Sequence, residues 1–401
     1  MKKLILTVLS FFSILQAFAS SGDSLQVSLL TVLPRSNFVY TIYGHTAIRV
    51  HDPAQNLDLV FNYGSFNWDE PNFMYHFVRG ETDYYLGVHT YNEFEDIYTM
   101  GNYTVIEQIL NLPAEEKEAM LRMLMVNYQP ENRGYRYNFL FDNCATRPRD
   151  VIERFAGGHI LYLEQNSPTT FRTLIHECTK PYPWLTFGID LVIGSGADSI
   201  IGLRQEMFLP EKLMNALETA YVVNDNFEKR PMVSSTEVVI QSFEIDNNQE
   251  SSWITPMKMG IIMLIHALVF AVCGIIFKRR FRLFFAPLFF VAGLAGCVIW
   301  FIAFFSIHPV TFPNWNVFFF HPLYFIAAVG YLLPKTYRFI TWYHWINFVL
   351  LSVLLIAWPF IPQEINNANF PFILSLWIGL GFGLKVKGCK LNLKLSTFNN
   401  K

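Results

Sequence analysis

Asp142-Asn143-Cys144-Ala145-Thr146-Arg147 sets one of the chain's five cysteines at the mouth of a predicted helix. Asp142 or Asn143 is the expected cap, because a short polar side chain can accept from the N–H groups that a helix start leaves unpaired. The helix is expected to run from Cys144 towards Phe155 and to stop at Gly157-Gly158. A thiol in a first helical turn feels those N–H groups and their partial positive charge, which favour its thiolate. Upstream, Tyr43-Gly44-His45-Thr46-Ala47-Ile48-Arg49 puts His45 on a predicted strand. A nearby imidazole stabilises a thiolate or takes its proton, and a third polar group orients the ring. Asn62, in Phe61-Asn62-Tyr63-Gly64 on the next predicted strand, is the candidate for that third group.

Tyr43 and Asn143, beside His45 and Cys144, are candidates for substrate contact, and Arg147 and Arg149 for meeting a phosphate. Plainer readings stand beside these. Cys144 can pair with Cys178 in a disulfide, and His45 can be a hydrogen-bonded core residue. Asn62 beside Gly64 can serve a turn, and the arginines can be solvated surface.

Around these patches, residues 20–222 have the texture of a globular domain, with apolar positions interspersed among charges, Gly and Pro. Alternation predicts strands at 38–50 and 57–66, and the Tyr-containing stretch 82–89, just after Gly80, predicts another. Residues 113–128 read as a helix, with Pro113 near its start, Glu115 and Glu116 at its positive end, and an apolar face of Met120, Leu121, Leu124, Met125 and Tyr128. Further helices are expected at 170–178 and 210–221. The polar stretch 223–252 reads as a linker or a loosely packed strand region.

The whole chain is too apolar for one soluble globule. Of its 401 residues 52% are hydrophobic and only 15% charged, below the roughly 25% charged of an average soluble domain. Five apolar segments, at 257–277, 283–305, 317–333, 342–361 and 370–384, predict a membrane domain over 253–386, with a tail at 387–401. Lys278, Arg279, Arg280 and Arg282 follow the first segment, Lys335 and Arg338 the third, and Lys385, Lys387, Lys390 and Lys394 the fifth. The alternate loops, 306–316 and 362–369, hold no Lys or Arg. Positive residues stay in the cytoplasm, so the alternate loops and the domain before the first span face outward. The N-terminus agrees: Lys2 and Lys3, an apolar run and Ala17-Phe18-Ala19 predict a secretory signal peptide over 1–19. In the outer loop, His308, Asn314 and Trp315 are candidates for holding a lipid headgroup or glyceryl region, or else form an interfacial turn.

A formal charge of −2 lacks the footprint of a nucleic-acid binder. The cysteines form no CxxC pair, so neither a zinc site nor a disulfide scaffold is expected, and no metal or other cofactor is implied.

A strand His followed by a helix-start Asn-Cys resembles the order of permuted papain-like thiol enzymes, a group that includes lecithin:retinol acyltransferase-like proteins. More closely, the chain resembles the Lnb family of lipoprotein N-acyltransferases. The matching stretches are 43–50 (YGHTAIRV), 61–66 (FNYGSF), 71–77, 130–149 (PENRGYRYNFLFDNCATRPR), 208–210 (FLP), 308–309 (HP), 313–316 (PNWN) and 321–323 (HPL). The resemblance implies an α+β permuted papain-like domain outside a bacterial inner membrane, followed by an α-helical membrane domain of about five spans. It implies Cys144 as nucleophile and His45 as its base, a phospholipid as acyl donor, and a diacylated lipoprotein as acceptor. Two other functions remain possible from the residues: a membrane-tethered thiol amidase or peptidase, and a non-catalytic membrane adaptor with a structural Cys144.

Overall fold

Strand β1, Gln26–Val32, is buried at six of its seven positions, so it lies inside a sheet with both faces covered. Its antiparallel neighbours are β2 (His45–Asp52) on one side and β5 (Val105–Leu110) on the other. With β3 (Leu57–Ser65), β4 (Asp83–Thr90), β6 (Gly134–Arg136) and β12 (Val233–Ile240) they form a seven-stranded sheet in the order β12-β5-β1-β2-β3-β4-β6. The remaining strands are short: β7 (His159–Leu161), β10 (Tyr221–Val223) and β11 (Lys229–Pro231) pair together, as do β8 (Thr169–Thr170) and β9 (Ile200–Ile201). This is a computed structural model, and it describes residues 24–35, 39–163, 168–243, 253–279, 281–333 and 338–386. The expected signal segment 1–19, the tail 387–401 and linker residues 244–252 lie outside them.

The sheet is buried on both faces. On one, Val27 and Leu29 of β1 join Ile48, Val50, Phe61 and Leu86 against Met120 and Leu124 of helix Ala114–Asn127, Ile152 of helix Thr146–Arg154, and Leu213 and Leu217 of helix Pro210–Thr219. On the other, Leu30, Val32, Ala47 and Val60 pack with Phe94 of helix Tyr91–Met100. That helix starts with a capping box in which Thr90 and Glu93 satisfy each other's backbone N–H groups.

The chain divides into two units. The first takes the residues up to Pro181, then Ser199–Glu250 and the segment Ile307–Pro309; the second takes Tyr182–Asp198, Ser251–Ser306 and Val310 onward. Among the described residues, three helices of the second unit are long and apolar enough to cross a membrane: Pro256–Ile276, Arg282–Phe305 and Arg338–Phe360. The other two expected segments are shorter. One is broken into Asn316–Phe319 and Tyr324–Leu332 around Pro322, which has no N–H to continue a helical ladder, and the other is Asn369–Val386. Glycines set the close approaches: a Cβ at Gly296 would stand 2.4 Å from the His321 carbonyl carbon, and one at Gly293 3.0 Å from the Phe325 ring.

Several expectations need correction. Residues 39–43 form a 3-10 turn, so the second strand begins only at His45. Of the two readings of 223–252, linker or loosely packed strand region, the strand is what its described part contains: β11 and β12 lie there, and β12 borders the large sheet with Ile106 opposite Val238. Its Ser, Thr and Glu residues belong to an edge strand with an exposed face, which composition alone makes look like a linker. The helix Pro183–Val192, inside the presumed outer domain, groups with the second unit. There Asn316 Nδ2 donates to the Asp190 carbonyl (2.8 Å), Asn314 Nδ2 to the Leu191 carbonyl (3.0 Å), and Asn366 Nδ2 to the Asp190 carboxylate (2.8 Å).

Candidate functional site

The pairing of β2 with β3, in which Ile48 faces Phe61, brings His45 and Asn62 to the same end of the two strands. His45 Nε2 lies 2.7 Å from Asn62 Oδ1; an amide oxygen only accepts, so the ring N–H donates to it. His45 also shares a hydrogen bond with the side chain of Cys144. With Nε2 engaged by Asn62, Nδ1 is the ring nitrogen that serves the sulfur. Gly64 closes the group: a Cβ there would sit 3.4 Å from Cys144 Cβ and 3.6 Å from His45 Cε1. Its φ of +106° is one that other residues rarely adopt, and the register of β3 against β4 shifts at this point.

Cys144 stands in the turn leading into helix Thr146–Arg154, two residues ahead of it, rather than in its first turn. Asn143 builds that turn. Its Oδ1 accepts from the N–H groups of Ala145 (2.8 Å) and Thr146 (2.9 Å), and its Nδ2 donates to the carbonyls of Phe139 (2.7 Å) and Phe208 (2.9 Å). Asn143 is 3% exposed with both ends of its amide bonded, so it holds the turn in place. The Thr46 hydroxyl donates to the Cys144 carbonyl, tying the turn to β2.

Burial of the Cys144 thiol would by itself push its pKa up. The charge and hydrogen bond of His45, with the backbone N–H groups of Thr46 and Cys144, outweigh that and hold it below the ordinary thiol value. For His45 burial works downward, but the Cys144 thiolate and the hydrogen bonds to Cys144 and Asn62 win, and the imidazole pKa is raised. The two groups favour each other's charged form. Cys144 is a free thiol, as is Cys178, so the disulfide alternative is not what the structure contains.

Three tyrosines that sequence reasoning missed surround the pair. Tyr84 and Tyr135 are cross-strand partners, and Tyr137 stacks on Tyr84 with ring centroids 4.1 Å apart. Burial, then the Cys144 charge, pushes Tyr84 up to about 12 and moves Tyr135 and Tyr137 further in the same direction. All three are protonated donors at neutral pH. The Tyr-Arg-Tyr alternation at 135–137 was the available signal.

The other candidates have partners of their own. Tyr43 packs edge-on against Phe139 at 5.0 Å, and burial, then Cys178, raises its phenol pKa. Arg147 gives Nε and Nη2 to Asp142 (2.5 and 2.9 Å) and lies 3.6 Å over the Tyr135 ring, so both prongs of its guanidinium fork are taken. Arg149 is 5% exposed, paired with Asp150 and bonded to the Arg204 carbonyl. His308 belongs to the first unit, with Nε2 2.7 Å from the Phe77 carbonyl; burial lowers its pKa against the pull of that carbonyl. Asn314 and Trp315 belong to the second unit, where Gln363 bonds both: its Nε2 donates to Asn314 Oδ1 (3.3 Å), and its Oε1 accepts from the Trp315 N–H (2.8 Å).

A cavity of about 240 Å³ lies within the first unit, between Gly80 and His308 on one side and Arg136, Tyr137, Asn138 and Asp142 on the other. Among the described residues, no three His, Cys, Asp or Glu side chains gather as a metal site would require.

Two family models match the chain: the Lnb N-terminal periplasmic domain over residues 18–177 and the Lnb transmembrane domain over residues 248–388. Together they span about three quarters of its length. No curated protein and no solved structure matches.

Proposed function

Because the chain belongs to the Lnb family and is a membrane protein with a periplasmic part, we propose that it is a lipoprotein N-acyltransferase of the bacterial inner membrane. In this reading Cys144 is the nucleophile, His45 the acid and base, and Asn62 the residue that orients the ring, on a papain-like scaffold in permuted order. The observation that carries it is the chain of contacts from Asn62 Oδ1 through the His45 ring to the Cys144 sulfur. A structural cysteine needs no such partner, which weighs against a non-catalytic adaptor.

The Cys144 thiolate attacks a phospholipid ester carbonyl, and the electron pair moves onto the carbonyl oxygen. Collapse of that oxyanion breaks the ester C–O bond, and the His45 imidazolium protonates the departing lysophospholipid oxygen. The acyl chain is then a thioester on Cys144. The α-amine of a diacylglyceryl-cysteine, with a reference pKa of about 8, is partly neutral near pH 7. It attacks the thioester, passes its proton to His45, and releases the thiolate with an amide formed. The backbone N–H groups directed at the sulfur, those of Thr46 and Cys144, are the nearest donors for the oxyanion in both halves. The thioester retains the driving force of the ester, so the transfer needs no ATP. Five membrane segments would keep the enzyme among two lipid-borne substrates.

The test is the mass of a reporter lipoprotein's N-terminal lipopeptide from a host lacking other N-acylation. The chain is supplied as wild type, Cys144→Ala or Cys144→Ser, with equal membrane levels. One added acyl chain on the amine with wild type alone is the expected result. No added chain from well-expressed wild type would move the thiol amidase to the front. An added chain in all three would remove Cys144 from the chemistry.

A further inference from the structure

The cavity that Asp142 lines, two residues before Cys144, holds donors whose capacity is not used up. Arg136 gives Nε to Asp83 Oδ1 at 2.7 Å, in a pair whose side chains are 48% and 62% exposed. Its Nη1 and Nη2 have no acceptor among the described residues. Asn138 Oδ1 accepts from the N–H groups of Leu140 (3.2 Å) and Phe141 (3.1 Å), which turns its Nδ2 donors elsewhere. Tyr137 contributes a phenol. The one carboxylate on the wall, Asp142, is already matched by Arg147, so it does not repel an anion as a lone acid would.

Position and size add to this. Asp142 is two residues before Cys144, and its backbone is bonded in both directions with that of Asn138 at 2.9 Å, so the Cys144 turn and this wall are one piece. The opposite wall is fixed where the Ile307 N–H donates to the Arg79 carbonyl (2.8 Å) and Gly80 meets His308. A Cβ on Gly80 would stand 2.9 Å from the His308 backbone nitrogen, so the narrow space depends on glycine. At about 240 Å³ the cavity is below the roughly 300–1,000 Å³ of a drug-sized pocket, and it admits a headgroup rather than a whole lipid.

We infer that this cavity binds the phosphodiester headgroup of the acyl donor, with Arg136 as its cation and Asn138 and Tyr137 as its neutral donors. A guanidinium offers paired N–H groups that match two phosphate oxygens, and such bonds are stronger than neutral ones. Seating the phosphate here sets the ester beside the Cys144 turn and makes the headgroup a determinant of donor choice. The inference rests on the acyltransferase reading for what the ligand is, but its test does not need turnover.

Full-length protein carrying Cys144→Ala is titrated in detergent with dihexanoyl phosphatidylglycerol, dihexanoylglycerol and inorganic phosphate, and each Kd is measured by calorimetry. Arg136→Ala is expected to weaken the phosphatidylglycerol about tenfold, Arg136→Lys by less, and neither to change the binding of dihexanoylglycerol. Asp83→Asn removes the Arg136 ion pair but keeps the guanidinium, and it is expected to retain phosphatidylglycerol binding. Unchanged phosphatidylglycerol affinity in Arg136→Ala overturns the inference, as does an equal loss in Asp83→Asn, which would make the pair merely structural. Inorganic phosphate binding as tightly as the lipid would assign the site to free phosphate. A protein that N-acylates lipoproteins without using Arg136 for the lipid sinks this inference alone. One that binds the headgroup through Arg136 yet adds no chain sinks the transfer reading alone.

Discussion

Asn62 Oδ1 stands 2.7 Å from His45 Nε2, on the far side of the imidazole from Cys144. Since the amide oxygen can only accept, it fixes the N–H on Nε2 and sets the ring plane that presents Nδ1 to the sulfur. Asn62→Ala is therefore expected to leave the fold intact and slow acyl-enzyme formation by about tenfold to a hundredfold, the cost of losing a reactive geometry. Intact-protein mass spectrometry with a short-chain ester donor reads the acyl-enzyme directly. Asn62→Asp keeps an acceptor and should retain more of the rate. Equal rates in wild type and Asn62→Ala would assign this amide to turn structure.

The opposed shifts of Cys144 and His45 give a pH signature. The thiol lies below its ordinary value and the imidazole above its own, so each shift favours the thiolate–imidazolium pair over the neutral one. As pH falls, alkylation of Cys144 by iodoacetamide should persist below the ordinary thiol range and fade only when the depressed thiol takes its proton. In His45→Gln the imidazolium charge is gone and the backbone N–H groups of Thr46 and Cys144 are left against burial, so the thiol pKa should rise and alkylation at pH 7 should fall about tenfold. On the alkaline side, acyl transfer should decline as the imidazolium that protonates the leaving oxygen is lost, at a pH above the ordinary histidine value. Identical alkylation profiles for wild type and His45→Gln would exclude the ion pair.

The residues differ in how openly they announced these roles. Met120 and Leu124, spaced four apart behind Glu115 and Glu116, marked helix Ala114–Asn127, because an amphipathic helix buries one stripe and exposes the rest. His45, Asn62 and Cys144 stood out as a candidate group by residue type and predicted element, and the fold brings the three into contact. β1 was not: Leu29, Leu30 and Val32 are buried on both faces of the sheet, so no alternation marks the strand at its centre. Nor does a sequence tell that Asn143 uses its whole amide on backbone, or that Arg147 already has Asp142. Those depend on carbonyls such as that of Phe208, brought close only by the fold. Helix Pro183–Val192 was hidden for another reason: ten residues, Asp190 among them, are too few to read as a span.

Asn143 is the structural hinge of the Cys144 turn, and its loss should appear in stability before it appears in substrate affinity. Asn143→Ala strands two N–H groups and two carbonyls in a buried place, at a cost of about 1–3 kcal/mol for each group left unbonded. Relaxation and water entry will recover part of this, and a net loss of about 3 kcal/mol is expected. Thermal unfolding of the detergent-solubilised protein should register a clear drop in Tm. In the protein that remains folded, the KM for the acyl donor should be little changed. A raised KM at unchanged Tm would return Asn143 to the substrate-contacting role suggested by its sequence position.

Gly64 faces the reactive pair from β3, and both its backbone and its missing side chain matter. At φ +106° an L-residue is strained, so Gly64→Ala is expected to cost on the order of 1–3 kcal/mol of stability or to shift the strand. The added methyl would lie 3.4 Å from Cys144 Cβ and 3.6 Å from His45 Cε1, an ordinary contact that crowds neither residue in the resting protein. It does occupy space over the pair, where an ester carbonyl must arrive. Alkylation by the small reagent iodoacetamide should then survive in Gly64→Ala, whereas acyl-enzyme formation from a phospholipid should fall at least tenfold. Parallel loss of both rates would mean that the backbone moved and took His45 away from Cys144. Loss of neither would show that the ester approaches the sulfur from another side.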